Sequence, residues 1–167
     1  MQSENPYATP QIVGPVAKVV QEPNGLRIAS QGKRFLNLIV DSIVTQILSG
    51  MAGFAVGIVY AVSRASQGAP ITPEDEATLQ IIGMLVGLVV VIGYYVFMET
   101  LFQRSLAKFL TGTRVVREDG CKPHFGQILG RTLARCIPFE AFSFFGGKGF
   151  PVGWHDSLSG TRVVSAR

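Results

Sequence analysis

Two long apolar runs separated by a short polar break set the pattern of the chain. From Phe35 to Val62 the one charged residue is Asp41, and a helix of that length reaches about 42 Å, enough for a tilted membrane span. Lys33 and Arg34 mark its start, and Arg64 followed by Gly68, Ala69 and Pro70 marks its end. Thr72, Pro73, Glu74 and Asp75 then give a cap, a proline at the first helical position and acids in the first turn. The second apolar run, Leu79 to Phe102, carries Glu99 near its end. The pattern predicts two antiparallel transmembrane helices, at about 35–62 and 79–102, joined by a short acidic loop.

The flanks read differently. Residues 1–26 hold Pro6, Pro10, Pro15 and Pro23 and no periodic apolar face, which predicts a disordered tail ahead of a membrane domain at 27–167. The first apolar run begins too far along for a secretory signal, so it is expected to remain as a signal anchor. Beyond the second span, Arg114, Val115 and Val116 predict a short strand running into a turn at Glu118, Asp119 and Gly120. From Phe125 to Pro138 the spacing predicts an amphipathic helix with Arg131 and Arg135 on one face. The apolar stretch Cys136 to Phe145 is too short to cross a bilayer. The pentapeptide GTRVV occurs at 112–116 and again at 160–164, and two such β-favouring segments are plausible partner strands. Their pairing would keep both on one side of the membrane and make residues of about 125–147 a re-entrant or interfacial third segment. The expected fold class is an all-α membrane protein: an antiparallel helix hairpin, an amphipathic or re-entrant C-terminal helical segment and a small cytoplasmic β-pairing.

Composition agrees with this class: 47% of the 167 residues are hydrophobic and 16% charged, with a mean hydropathy of +0.33. The net charge of +4 is carried beside the apolar runs rather than in a basic face interleaved with aromatics, so the expected partner is the lipid bilayer and not nucleic acid. Lys18, Arg27, Lys33 and Arg34 precede the first span and Arg104, Lys108, Arg114, Arg117 and Lys122 follow the second, whereas the loop holds Arg64 alone among cations. The positive-inside bias places the N-terminus and residues 103–127 in the cytoplasm. Cys121 and Cys136 form no CxxC pair and are expected to be reduced and partly buried, with no metal and no cofactor.

The residues that could carry function lie mainly in the spans. Gly53 and Gly57 form a GxxxG in the first, Gly83 and Gly87 in the second, and such pairs let helix backbones approach closely. Gly53 and Gly57 follow Asp41 by twelve and sixteen residues, and Gly87 and Gly83 precede Glu99 by the same intervals. An antiparallel pair in register would set the glycines face to face and the two carboxylates at one level. Asp41 then sits about 10 Å inside its helix and requires a partner or a proton. Arg34, Arg131 and Arg135 are the candidate partners. Such a cluster serves either as a static ionic clamp or as an ion or proton site.

Other motifs point to ordinary roles. His124 and His155 lack metal-ligand spacing and read as loop or interface residues. Phe139, Phe142, Phe144, Phe145, Phe150 and Trp154 read as an interfacial anchor, and Gly146 to Gly149 as a turn. No serine, cysteine or histidine occupies a nucleophile motif, so no catalytic residue is named and an enzyme is not expected.

The order of these blocks resembles the RDD family of membrane proteins, named for one arginine and two aspartates. Arg34 and Asp41 in GKRFLNLIVD are similar to the first two, and Asp156 in GWHDSLSGTRVV to the third. The likeness continues through Gln103 to Lys108 and through RTLARCIPFEAFSF, with Ser105, Leu106, Ala107 and Lys108 standing where the family has TxGK. The resemblance implies a multi-pass protein of the bacterial inner membrane and adds Asp156 to the charge cluster. It points to a largely uncharacterised activity within ion or solute transport, sodium/proton exchange included. Two spans are few for a pathway, so a homo-oligomer or other membrane proteins are the expected partners. The alternative is a non-catalytic adaptor or scaffold that binds partners or anionic lipid through its basic cytoplasmic part.

Overall fold

The computed structural model describes residues 25–145 and 152–166. Residues 1–24 of the predicted tail, the turn at Gly146 to Gly149 and Phe150 lie outside the described residues, as do the side chains of Phe144 and Phe145. Helix α1 (Gln31–Ser66) starts where the Ser30 hydroxyl accepts a hydrogen bond from the Lys33 amide. Helix α2 (Pro73–Phe102) starts at a complete capping box between Thr72 and Asp75. Both helices outrun the predicted spans. Apolarity marks the length suited to hydrocarbon, whereas capping chemistry fixes where the backbone hydrogen bonds begin. At the loop end Asp75 accepts from Tyr60 at 2.5 Å and from Arg64 at 2.6 Å, and Arg64 also reaches the Pro70 carbonyl at 3.3 Å. These bonds fasten α1 to α2 there.

The other end of the hairpin carries a cap made of short elements. Gln103 in the left-handed region (φ 58°) stops α2. Helix α3 (Leu106–Thr111) and strand β1 (Thr113–Arg117) follow, then helix α4 (Phe125–Ala134), a 3-10 turn at Glu140–Phe145, helix α5 (Trp154–Ser159) and strand β2 (Thr161–Ser165). Strands β1 and β2 pair antiparallel, with Val115 opposite Val163 at the centre, and Ile28 adds a bridge to Val164. Ile28, Val116 and Val164 bury a small apolar core with Leu26 against it. Helix α4 is shorter than predicted, because from Arg135 to Ile137 the amides turn to carbonyls three residues back. At ten residues it is about 15 Å long and cannot span, and no other element after α2 is longer among the described residues.

The GTRVV repeat proves to be the visible part of a longer structural one. Helices α3 and α5 each have six residues, each ends on a left-handed glycine (Gly112, φ 63°; Gly160, φ 61°), and each leads into a five-residue strand. The Glu118 amide donates to the Gly160 carbonyl, and the Ala166 amide donates to that of Gly112. Two helix–glycine–strand units are thus related by an approximate twofold axis through the β-ladder.

The glycine interface expected in the spans is not what the structure contains. A Cβ placed on Gly53, Gly57 or Gly83 would meet nothing within 4 Å, and one on Gly87 would touch Ser49 at 3.6 Å. Of the four glycines Gly87 alone makes a contact with the other span, where the Ser49 hydroxyl donates to its carbonyl at 3.4 Å. The apolar side chains face outward: Phe54 is 72% exposed, Val59 70% and Val89 69%. Only 6% of the most apolar stretch of each long helix is buried by protein, which is the signature of lipid-facing spans rather than of a soluble core.

Candidate functional site

Four side chains of α1 are buried, Arg34, Asn37, Asp41 and Thr45. Their spacing of three, four and four residues puts them on one face, so an otherwise apolar helix carries a polar stripe turned toward the cap. Asn37 donates to Thr113 at 3.1 Å and accepts from Thr111 at 2.6 Å, tying the stripe to the junction of α3 and β1.

From this stripe an uninterrupted chain of ion pairs crosses the cap. Arg34 meets Asp156 at 2.5 Å, and Asp156 also pairs with Arg131. Arg131 reaches Glu99 at 3.1 Å, and Glu99 takes Arg135 at 2.8 Å and Lys108 at 3.1 Å. Lys108 stands 4.0 Å from Asp41. The structure therefore brings all six predicted residues, Arg34, Asp41, Glu99, Arg131, Arg135 and Asp156, into one buried network. Its internal pairing differs from the expectation that an arginine would partner Asp41. The three arginines engage Glu99 and Asp156, and Asp41 accepts from Ser105 at 2.5 Å, Tyr94 at 2.8 Å and the Ala107 amide at 3.2 Å. Asp41 thereby caps the start of α3, where orphan amides and a hydroxyl suit a carboxylate. Ala107, which replaces glycine in the TxGK pattern, is fully buried and makes this close approach with its Cβ in place.

Lys108, Tyr94, Glu140 and His155 belong to the site and are missing from the residues singled out in the sequence. Lys108 was legible as the last residue of the TxGK-like block. His155, predicted to be a loop or interface residue, hydrogen-bonds Glu140 and lies 3.4 Å from Asp156. Gly153 leaves room for this pair, since a Cβ would fall 2.9 Å from the His155 ring and 3.1 Å from a Glu140 oxygen. Burial lowers the His155 pKa against the opposing pull of Asp156 and Glu140, with Arg131 and Arg135 adding to the lowering, so the ring is neutral near pH 7. Burial alone would raise Asp156, but the guanidiniums of Arg131 and Arg34 hold it well below the usual range. Arg135 stacks on the Tyr95 ring at 3.9 Å. His124, by contrast, is exposed and bonds Arg117. Both cysteines are free and exposed, not partly buried as expected.

Above the network lies a cavity of about 240 Å³ whose walls include Asn37, Ser42 and Thr45 of α1, Val91 of α2 and Lys108 of α3. Among the described residues no group of three or more His, Cys, Asp or Glu side chains is arranged to hold a metal. Phe139, Phe142 and Trp154 are exposed on the cap, where they can lie in the membrane–water interface.

Two lipid-facing helices closed at one end by a charge-locked α/β cap define a multi-pass membrane protein. The family model of the RDD family matches residues 28–158, a range that contains Arg34, Asp41 and Asp156. The chain belongs to the RDD family. It is also similar to the uncharacterized protein YxaI of Bacillus subtilis (strain 168), with 29% identity over 143 residues, covering 78% of this chain and 93% of that protein. These likenesses support a bacterial membrane location. No solved structure matches the chain.

Proposed function

We propose that the protein binds a small ion or solute in the cavity beside Asp41 and moves it across the cell membrane as part of an oligomer, with its N-terminus and cap in the cytoplasm. The observation that carries this reading is the polar stripe of α1: Asn37, Asp41, Ser42 and Thr45 line a cavity that runs from the cap into the helix hairpin. Polar groups at such depth are costly to bury and are concentrated in membrane proteins along ion and solute paths. Two spans are few for a pathway, so further copies would complete it. In proteoliposomes, wild-type protein is expected to support proton, sodium or anion flux, and Asp41→Asn to abolish it while remaining folded. Crosslinking in the membrane that yields monomers alone would remove the proposal.

The second reading, a non-catalytic adaptor, is favoured by the exposed Phe139, Phe142 and Trp154 on the cap together with exposed Arg114. Under it, Asp41→Asn lowers the folded amount without a flux to lose, and Arg114→Glu breaks an association.

A further inference from the structure

We infer that the cavity is an anion site, built to take a phosphoryl or carboxylate group. The inference rests on the reading above, because it assigns a charge class to the ligand of that same cavity. Four cations line the space, Arg34, Lys108, Arg131 and Arg135, against two carboxylates, Asp41 and Glu140. Glu99 and Asp156 bring the formal charge of the network to balance, so what is in excess is hydrogen-bond donors, and both lining carboxylates are already engaged. Asp41 has both oxygens engaged by Ser105, Tyr94 and the Ala107 amide, and Glu140 holds His155 and Ser143. The remaining acids of the network, Glu99 and Asp156, are shared among the same four cations.

The guanidinium donors exceed the acceptors. Arg34 Nε and Nη2, Arg131 Nη2 and Arg135 Nη1 are buried with no hydrogen-bond partner among the described residues, and the Arg34 and Arg131 side chains are 5% and 0% exposed. Buried arginine N–H groups are seldom left unpaired, since each has lost its water without a replacement. Water in the cavity could satisfy some of them. Unpaired N–H groups on three arginines favour an anion over water, and arginine's planar fork matches the two oxygens of a carboxylate or phosphoryl group. The volume suits a small headgroup or a short acid, not an extended solute. A lipid headgroup and a free anion offer the same oxygens, and the test separates them.

The full chain, in phosphatidylcholine nanodiscs at constant ionic strength, is titrated with inorganic phosphate, with acetate and with chloride as control, and thermal unfolding is followed. A second preparation replaces part of the phosphatidylcholine with phosphatidylglycerol. Saturable stabilisation by phosphate or acetate over chloride is the expected result for a free anion, and stabilisation by phosphatidylglycerol alone identifies the ligand as a headgroup. Ser42→Leu fills the cavity without touching a charge and is expected to weaken binding at least tenfold. Should it fail to fold, Val91→Phe narrows the same space from α2. The wild-type titration also decides by itself: no saturable shift in either preparation overturns the inference, as does binding by a folded Ser42→Leu equal to wild type. Proton or sodium flux without anion binding would sink the anion site and leave transport standing, whereas anion binding without any flux would do the reverse.

Discussion

The two halves of the cap, α3–β1 and α5–β2, share a backbone and differ in charge. Thr111 meets Thr113 at 3.0 Å in one, and Ser159 meets Thr161 at 2.8 Å in the other. At matching places, four residues before the left-handed glycine, stand Lys108 and Asp156. Lys108 collects the acids Glu99 and Asp41, and Asp156 collects the bases Arg131 and Arg34. Helix α1 answers both, since Arg34 and Asp41 are seven residues apart and therefore on one face. The backbone decides where each charge sits, and the sign of that charge decides which partners the spans must supply. Compensation is unequal, however. Burial dominates at Lys108 and lowers its pKa despite Glu99, whereas arginine pairing dominates at Asp156 and holds its carboxylate ionised.

The largest test of this asymmetry is to delete each charge in turn. Asp156→Asn leaves two buried guanidiniums short of their shared carboxylate and is expected to cost about 3–5 kcal/mol. Lys108→Met removes a poorly compensated ammonium, while Glu99 retains Arg131 and Arg135, and is expected to cost about 1 kcal/mol or less. Equal losses in chemical denaturation would show that the halves are compensated alike. A smaller effect should follow pH. The folded-state pKa of His155 lies below its ordinary 6.5, so the unfolded chain binds more protons as pH falls through that value and stability drops. Asp156 and Glu140, also held low, extend the loss in the same direction below the ordinary carboxylate values of 3.8 and 4.5. Thermal unfolding is therefore expected at lower temperature at pH 5.5 than at pH 7.5, and His155→Phe should flatten that difference. Glycine substitutions test the shared backbone of the two halves. Gly112→Ala and Gly160→Ala force alanine into the left-handed region and should cost about 1–2 kcal/mol each. Gly53→Ala, Gly57→Ala and Gly83→Ala should be neutral or stabilise by up to about 1 kcal/mol, and a loss at any of them would restore the GxxxG interface that the spans lack here.

The hairpin was legible because lipid imposes a length and an apolarity that no other class of chain needs, and Thr72, Pro73 and Asp75 announced the start of α2. The β-pairing was legible through the repeat of GTRVV, although its helical half was not, since LAKFLT and WHDSLS share little beyond a place in the sequence. The six predicted charges do converge, because buried charge has few ways to be satisfied. Their partners were harder to read. Sequence distance gave no reason to prefer Lys108 for Glu99, and the Asp41 carboxylate is met largely by hydroxyls and an amide, groups that carry no sign to search for. A polar stripe at positions 34, 37, 41 and 45 was the available signal for the face of α1 that matters, and the glycine spacing drew attention to a different one.

Arg34 and Asp156 are separated by 122 positions in the chain, and Asp41 and Ser105 by 64. A ribosome working from the N-terminus delivers the first span with its arginine and aspartate long before it delivers what neutralises them. The membrane-insertion machinery must therefore shelter a half-finished span, and the salt bridge to Asp156 becomes a late step of assembly that closes over everything made before it.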